Sequence, residues 1–336
     1  MVKTAAKEPE ITSEVDLCKA DGRLNPAAVG WSRWPLIRAN LQGWGRNKRF
    51  EYWCISTPDL IVALNVSHSD YRVTLAGFFL DLRTKEAISV AEIHWLPGKR
   101  VPIMPKVSGA GPVIGAGKQI QVQMIPGEGG TQLSLVSDRI KIEIFAAEPE
   151  NHESMSVVVP WDTKRFQLTR KNNCMKAEGH VIADGRRYDV RPENAYATLD
   201  HGRGRWPYSI LWNWGSASGI SDGHEIGLQL GAKWTDGTPA TENAIRIDGR
   251  VFKISDEMEW QYDTTDFMKP WTMRGGGADL VFTPIYNRHS NFNRLIVLSR
   301  EDQTFGHYNG TITAPDGKIY KIENLLGWAE EVHRRW

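Results

Sequence analysis

The sequence has little cysteine, no long apolar run and almost no net charge. Its 336 residues include three cysteines, Cys18, Cys54 and Cys174, with no C-x-x-C pair. So few cysteines argue against a disulfide framework or a zinc ribbon, and we expect free thiols in a reducing cytoplasm. The longest apolar runs, such as residues 61–64, fall far short of the ~20 residues that a transmembrane helix needs. The first 16 residues contain no apolar segment that would indicate a secretion signal.

The charges balance, with 41 Lys and Arg against 40 Asp and Glu. This balance argues against a nucleic-acid partner, and no basic run predicts contact with an anionic membrane surface.

The sequence contains neither a complete phosphate-binding loop nor a metal-binding motif. Residues 109–118 read GAGPVIGAGK, but Pro112 stands where a phosphate loop needs its first glycine, and Gln119 stands where it needs Ser or Thr. We therefore expect a hairpin loop there. The nine histidines are scattered without the spacing of a metal site. The sequence therefore predicts no metal and no cofactor.

Tryptophan is abundant, with 14 residues, and short alternating apolar runs are broken by Gly, Pro, Asn and Asp. Even spacing of such runs is typical of antiparallel β structure, with tight turns at Asp184–Gly185, Asp248–Gly249 and Asp316–Gly317. Residues 59–66 and 71–82 are predicted neighbours across a Ser-Asp turn. Only residues 326–335 and a piece near residues 31–41 have the character of helices.

A hint of duplication accompanies this pattern, because Arg-Trp-Pro at residues 33–35 recurs at residues 205–207. We therefore predict an all-β protein of two consecutive antiparallel barrels, residues 1–160 and 161–336, with the seam near residues 148–165.

Chemistry-bearing residues concentrate in residues 198–219, TLDHGRGRWPYSILWNWGSASG. Asp200 and His201 are candidate catalytic groups, and Glu242 is a candidate second acid or base. The remaining candidates would bind substrate by charge, aromatic contact or hydrogen bonding: Arg203, Arg205, Trp206, Tyr208, Trp212, Trp214, Glu225 and Asn243. A structural ion pair between Asp200 and Arg203 or Arg205 is the alternative interpretation.

Several long stretches resemble the DUF2804 family, a group defined by sequence. They are residues 21–41, 45–55, 199–219, 226–231, 241–244 and 310–331. More distantly, Asp-His-x-x-Gly at residues 200–204, followed by Trp-x-Trp and Asp-Gly, is similar to the carotenoid-hydratase and kievitone-hydratase group. That resemblance implies paired lipocalin-like barrels, and relatives that hydrate isoprenoid double bonds or catalyse Diels–Alder cyclisation. Arg203 and Arg205 depart from the group's pattern and imply an acidic group on the substrate.

Three functions follow as hypotheses. The first is a hydratase, dehydratase or cyclase that uses acid catalysis on a hydrophobic or amphiphilic small molecule, in a Trp-lined barrel cavity where Trp206, Trp212 and Trp214 face a developing cation. The second is a non-catalytic lipocalin-like binder of such a molecule. The third is a carbohydrate-active enzyme on small glycosides, with Asp200 paired to Glu225 or Glu242.

Overall fold

A computed structural model describes residues 7–294 and 297–335, and in this range the chain is built from strands. The expectation of an all-β protein is confirmed. Two short 3-10 helices, Pro26–Ala28 and Gly98–Arg100, interrupt the strands. The strands of the first half are β1 (Val15–Asp16), β2 (Trp31–Ser32), β3 (Ile37–Arg38), β4 (Asn47–Ser56), β5 (Leu60–Ser69), β6 (Arg72–Asp81), β7 (Ala87–Trp95), β8 (Val113–Ala116), β9 (Gln121–Gly127), β10 (Gly130–Val136), β11 (Ile140–Ala147) and β12 (Met155–Pro160).

The second half contains the longer strands. They are β13 (Phe166–Ala183), β14 (Arg186–Val190), β15 (Tyr196–Arg205), β16 (Ser209–Ser221), β17 (His224–Ala232), β18 (Asn243–Ile247), β19 (Arg250–Ile254), β20 (Glu259–Gln261), β21 (Trp271–Gly275), β22 (Ala278–Arg294), β23 (Val297–Thr313) and β24 (Ile319–Arg335).

The strands form two compact units. The first unit is Glu10–Trp206, and the second comprises residues 207–335 with residues 7–9. Glu8 belongs to the second unit because its carboxylate pairs with Lys253 at 2.8 Å. The units divide at residue 206, not at the predicted residue 160, because β13 and β15 pair with strands of the first sheet.

In the first unit, a curled antiparallel sheet runs in the order β7-β6-β5-β4-β15-β13-β11-β10-β9-β8. Strand β15 lies between β4 and β13, near the middle of this order. Its inner face is packed with aliphatic side chains, among them Val62, Leu64, Ile142, Ile144 and Leu199. Alternation of apolar and polar residues along each strand produces this one-sided core.

The second unit repeats the plan with a nine-stranded antiparallel sheet in the order β19-β18-β17-β16-β24-β23-β22-β21-β20. Its core contains Leu228, Leu230, Trp271, Phe282 and Tyr308. All five side chains are aliphatic or aromatic and fully buried, so this core is packed away from solvent like that of the first unit.

Several local predictions can be compared with these strands. The hairpin across Ser69 and Asp70 is confirmed by the pairing of β5 with β6. The helix predicted at residues 326–335 is wrong, because this segment is the end of β24 and pairs with both β16 and β23. Residues 31–41 contain two short strands instead of a helix, and the loop predicted at residues 109–118 contains β8. Pairing on both edges outweighs a weak local preference for helix.

Two glycines on β15 are required by close packing. A Cβ atom on Gly202 would lie 2.0 Å from the Phe50 ring, and one on Gly204 would lie 2.2 Å from the backbone oxygen of Phe166. The glycines therefore let neighbouring side chains and backbone close over this strand.

We expect Gly204→Ala to lower the free energy of unfolding by about 2 kcal/mol or more, because the clash involves backbone that cannot move away. Chemical denaturation of the purified protein measures this change. Gly127→Ala is the matched control, since a Cβ there meets nothing within 4 Å. Equal losses in the two variants would contradict the packing argument.

Candidate functional site

Strand β15 divides the predicted site between its two faces. Leu199 belongs to the core of the first unit, and His201 and Arg203 follow it on the same face because side chains alternate along a strand. Asp200 lies on the opposite face. Asp200 and His201, both candidate catalytic groups, therefore lie in different surroundings and do not share one site.

The carboxylate of Asp200 is held by residues of β13. Lys171 Nζ lies 2.8 Å from one oxygen, and Thr169 Oγ1 donates to the other at 3.1 Å. Across the strands Tyr52, Asp200 and Lys171 are direct partners, so they form one row, which we call the Asp200 row. Asp200 and Lys171 are both buried. The ion-pair partner of Asp200 is therefore Lys171, not the predicted Arg203 or Arg205.

The same face of β15 also carries aromatic rings and an amide side chain next to the Asp200 row. Trp206 Nε1 donates to Gln167 Oε1 at 2.5 Å, and Lys48 Nζ lies 3.7 Å from the centroid of the Trp206 ring. Phe50 meets Trp206 edge-on at 6.2 Å between ring centroids. Gly202 and Gly204 leave the space that Phe50 and Gln167 occupy. This face thus combines an acid, two ammonium groups and flat apolar rings.

His201 forms a second, separate cluster on the core side of β15. Its Nδ1 lies 2.8 Å from Glu51 Oε2, and both side chains are buried. Because Glu51 can only accept when ionised, Nδ1 carries the proton and Nε2 is an acceptor. Among the described residues Nε2 has no hydrogen-bond partner.

The pKa values of this cluster follow from burial. Burial first, and then the charge of Arg203, lower the pKa of His201 to about 4, although Glu51 opposes the shift. Burial raises the pKa of Glu51, but the hydrogen bond and charge of His201 and the charge of Arg203 outweigh it, so the net shift is downward. Burial likewise lowers the pKa of Arg203 to about 10. The pair is therefore a neutral imidazole beside a carboxylate at neutral pH.

Both predicted arginines bind backbone carbonyls. Arg203 donates to the oxygens of Phe50 and Gly202 at 2.7 and 2.9 Å. Arg205 donates to Asn47 Oδ1 at 2.9 Å, to the Gly22 oxygen at 3.1 Å and to the Gln42 oxygen. These two contacts of Arg203 lie within β4 and β15, and those of Arg205 hold the loops at Gly22 and Gln42 against β15. Both guanidinium groups are therefore engaged by the protein itself.

The tryptophans of β16 lie in the second unit. Ala217 belongs to the core of that unit, so Trp212 and Trp214 point away from it. Trp212 Nε1 donates to Glu330 at 2.9 Å, and Trp214 Nε1 donates to Gln229 at 2.9 Å. These two rings therefore do not line the interior of this sheet, contrary to the prediction. A shift of one residue along the strand would have placed them there.

The remaining predicted residues of the second unit have structural partners. Glu225 pairs with Arg246 at 2.6 Å, and Glu242 accepts from Trp234 Nε1 at 3.1 Å. Asn243 accepts from the backbone N–H of Gly231 at 2.7 Å. Tyr208 is exposed. Glu225 and Asn243 therefore hold β17 and β18 together, and Glu242 holds the connection between these two strands.

Sequence reasoning missed the partners that define both clusters. Lys171, Thr169 and Gln167 lie on β13, and Glu51 and Lys48 lie on β4. The signal for Glu51 is a charged residue at a buried position of the alternating run FEYWCIS. Lys171 carries no such signal, because only the register of β13 against β15 brings it to Asp200.

The second unit holds one further charged cluster that the sequence did not indicate. Glu331 is buried and bonds to Lys233, Tyr262 and Arg300. Tyr262 stacks on Trp271 with ring centroids 4.0 Å apart. Each charged group here is matched by an opposite one, so the cluster ties β23 and β24 to the segment that follows β17.

Within the described residues no group of three or more His, Cys, Asp or Glu side chains is arranged to hold a metal ion. None of the helices in residues 7–294 and 297–335 is long and apolar enough to cross a membrane. Cys18, Cys54 and Cys174 are buried, and none of them forms a disulfide bond in the described residues.

Comparison with known families decides the identity of the chain. The model of DUF2804, a domain of unknown function, matches residues 8–336. The chain belongs to the DUF2804 family. No curated protein sequence matches it significantly.

Solved structures with the same architecture resemble this DUF2804 protein at low identity. Kievitone hydratase from Nectria haematococca is 10% identical with a TM-score of 0.51, over 87% of this chain and 89% of that one. CghA is 10% identical with a TM-score of 0.50, over 96% and 97% of the two chains. CghA with Sch210972 is 8% identical at the same score, over 87% and 89%. At these identities the likeness shows the fold alone, and it confirms the expected paired lipocalin-like barrels.

The low pKa of His201 predicts a loss of stability in acid. The unfolded chain takes up a proton below about pH 6.5, whereas the folded chain does so only near pH 4. Stability from this group is therefore present above pH 6.5 and is lost as the pH falls toward 4, by about 3 kcal/mol in all.

Chemical denaturation at several pH values measures how steeply the free energy of unfolding changes with pH. His201→Gln should flatten this dependence over this range, whereas His180→Gln, which removes a half-buried histidine from β13, should keep it. An unchanged slope in His201→Gln would show that another group is responsible.

Proposed function

We propose that this protein is a lyase-type enzyme, a hydratase, dehydratase or cyclase, acting on a hydrophobic small molecule at the Asp200 row. The observation that carries the proposal is the buried pair of Asp200 and Lys171, held at 2.8 Å on a face that also presents Trp206. A carboxylate and an ammonium so close together can accept one proton and supply another without help from solvent.

The pair suits removal and addition of water next to an activating carbonyl or carboxylate. In dehydration Asp200 takes a proton from the carbon beside the activating group, and the carbon–oxygen bond breaks. The departing hydroxide takes a proton from Lys171 and leaves as water. Transfer of the captured proton from Asp200 to Lys171 across their contact restores both groups, and hydration is the reverse sequence.

This mechanism differs from protonation of an isolated alkene by Asp200, which the sequence suggested. Both carboxylate oxygens of Asp200 already face donors, one Thr169 Oγ1 and the other Lys171 Nζ, so the side chain is placed to take a proton rather than to supply one. The substrate is therefore one with an acidic or carbonyl group that Lys171 or Lys48 attracts. Trp206 and Phe50 offer apolar surface to the rest of the molecule.

The fold of kievitone hydratase and CghA supports a lyase-type reaction only coarsely, since it is shared at about one-tenth identity. The binder remains the competing function, because a Lys and Trp face would also hold an amphiphile. Chemical change of the ligand separates the two functions.

Asp200→Asn should lower turnover sharply, since the amide has the size of the carboxylate but cannot accept the proton. Because the variant leaves the Lys171 ammonium without its carboxylate partner, far-ultraviolet circular dichroism first checks that it folds. We would incubate the protein in deuterated water with β-hydroxy acids and α,β-unsaturated acids that carry hydrophobic tails. Mass spectrometry then detects gain or loss of water and deuterium exchange at carbon. The expected loss of rate is about 100-fold or more.

Asp184→Asn is the matched control, because Asp184 pairs with Arg139 on the exposed surface, and it should retain full activity. Lys171→Met should also lose turnover. If the wild-type protein binds the acids but does not change them chemically, the protein is a binder and the proposed reaction fails.

A further inference from the structure

One end of the first unit exposes large apolar side chains instead of burying them. Trp44 is 72% exposed and Leu96 is 75% exposed, and Trp95, Val101 and Ile103 are exposed beside them in sequence. Single exposed apolar residues are ordinary, but a group of five in two loops is not.

Hydrogen bonds bring these loops to the same end of the sheet. The turn between β5 and β6 is their common anchor. Asp70 accepts from the backbone N–H groups of Gly45 and Asn47 at 2.6 and 3.0 Å. The backbone oxygen of Tyr71 accepts from Leu96 N at 2.7 Å. The Trp44 loop and the loop after β7 therefore meet at one turn.

The same segments are basic. Residues 42–47, 69–72 and 95–106 contain five Lys or Arg residues and a single acid. That acid, Asp70, is buried and pairs with Arg49 at 3.0 Å. The cations are exposed or half-buried: Arg46, Arg72, Lys99, Arg100 and Lys106.

Aromatic rings and a cationic group also lie next to one another in the structure. Tyr71 stacks on Trp95 with ring centroids 6.3 Å apart, and the Arg72 guanidinium lies 5.6 Å from the Trp95 centroid. We call Trp44, Trp95, Leu96, Val101 and Ile103, together with the cations Arg46, Arg72, Lys99 and Arg100, the Trp–basic patch.

We propose that the Trp–basic patch docks this protein on the surface of an anionic lipid membrane. Tryptophan and tyrosine rings settle at the level of lipid headgroups, and nearby Lys and Arg are attracted to acidic lipids. The charge of the patch complements such a surface, and its apolar side chains are large enough to enter the interfacial region. Because the cations come from three separate segments, no basic run in the sequence reveals them.

Docking at this end is independent of the proposed lyase activity, since vesicles provide no substrate for the Asp200 row. A membrane is nevertheless a natural source of hydrophobic molecules. Arg205 contributes indirectly, because its bonds to Asn47 and Gln42 fix the Trp44 loop to β15.

Cosedimentation with vesicles tests the proposal. The full chain is mixed with phosphatidylcholine vesicles, either pure or with about one-third phosphatidylglycerol. We expect binding only to the acidic vesicles, and release as salt screens the charges. Binding to neither kind of vesicle, or equal binding to both, would overturn the proposal.

Two variants probe the two components of the patch. Lys99→Glu with Arg100→Glu should weaken binding by at least about fivefold per charge. Trp44→Ser with Leu96→Asn should weaken it about tenfold or more. Asn suits position 96 because the backbone φ there is +48°.

Ile220→Ser with Ile319→Ser is the matched control, since it removes exposed apolar residues from the second unit. This double variant should bind acidic vesicles as the wild type does. Far-ultraviolet circular dichroism checks that every variant folds. Undiminished binding of both patch variants to the acidic vesicles would contradict membrane docking.

Discussion

The alternation of side chains along one central strand is the constraint on which the rest of this structure depends. Strand β15 is hydrogen-bonded on both edges, by β4 and by β13. Consecutive residues there must point to opposite faces, so Asp200 and His201 enter different surroundings although they are neighbours in sequence. Every contact of the candidate site follows from that division.

Burial of charge is the second theme, and the buried acids on both faces of β15 are matched nearby. Asp200 has Lys171 on one face, and Glu51 has His201 and Arg203 on the other. Arg170, the cross-strand partner of His201, bonds to Glu148, Ser108 and Ser154. An unpaired charge at such positions would cost several kcal/mol, so the register of the three strands and the choice of polar residues depend on each other.

The carboxyl end of β15 connects this chemistry to the surface of the first unit. Asp200 lies within the strand, whereas Arg205, its last residue, anchors the loop that carries Trp44. Pro105, in the loop after β7, accepts from Arg203. The strand that presents the candidate catalytic pair thus also positions the loops of the Trp–basic patch.

By itself the sequence determined the fold class and most strand positions, because these depend on local alternation and on turn residues such as Asp184 and Gly185. It did not determine partners. Lys171 is 29 residues from Asp200 and Glu51 is 150 residues from His201, and only strand register joins them. Tertiary structure also decided which face each tryptophan occupies, since a shift of one residue reverses a strand. It decided the strand identity of residues 326–335 as well, because pairing on two edges outweighs the preference of a ten-residue segment.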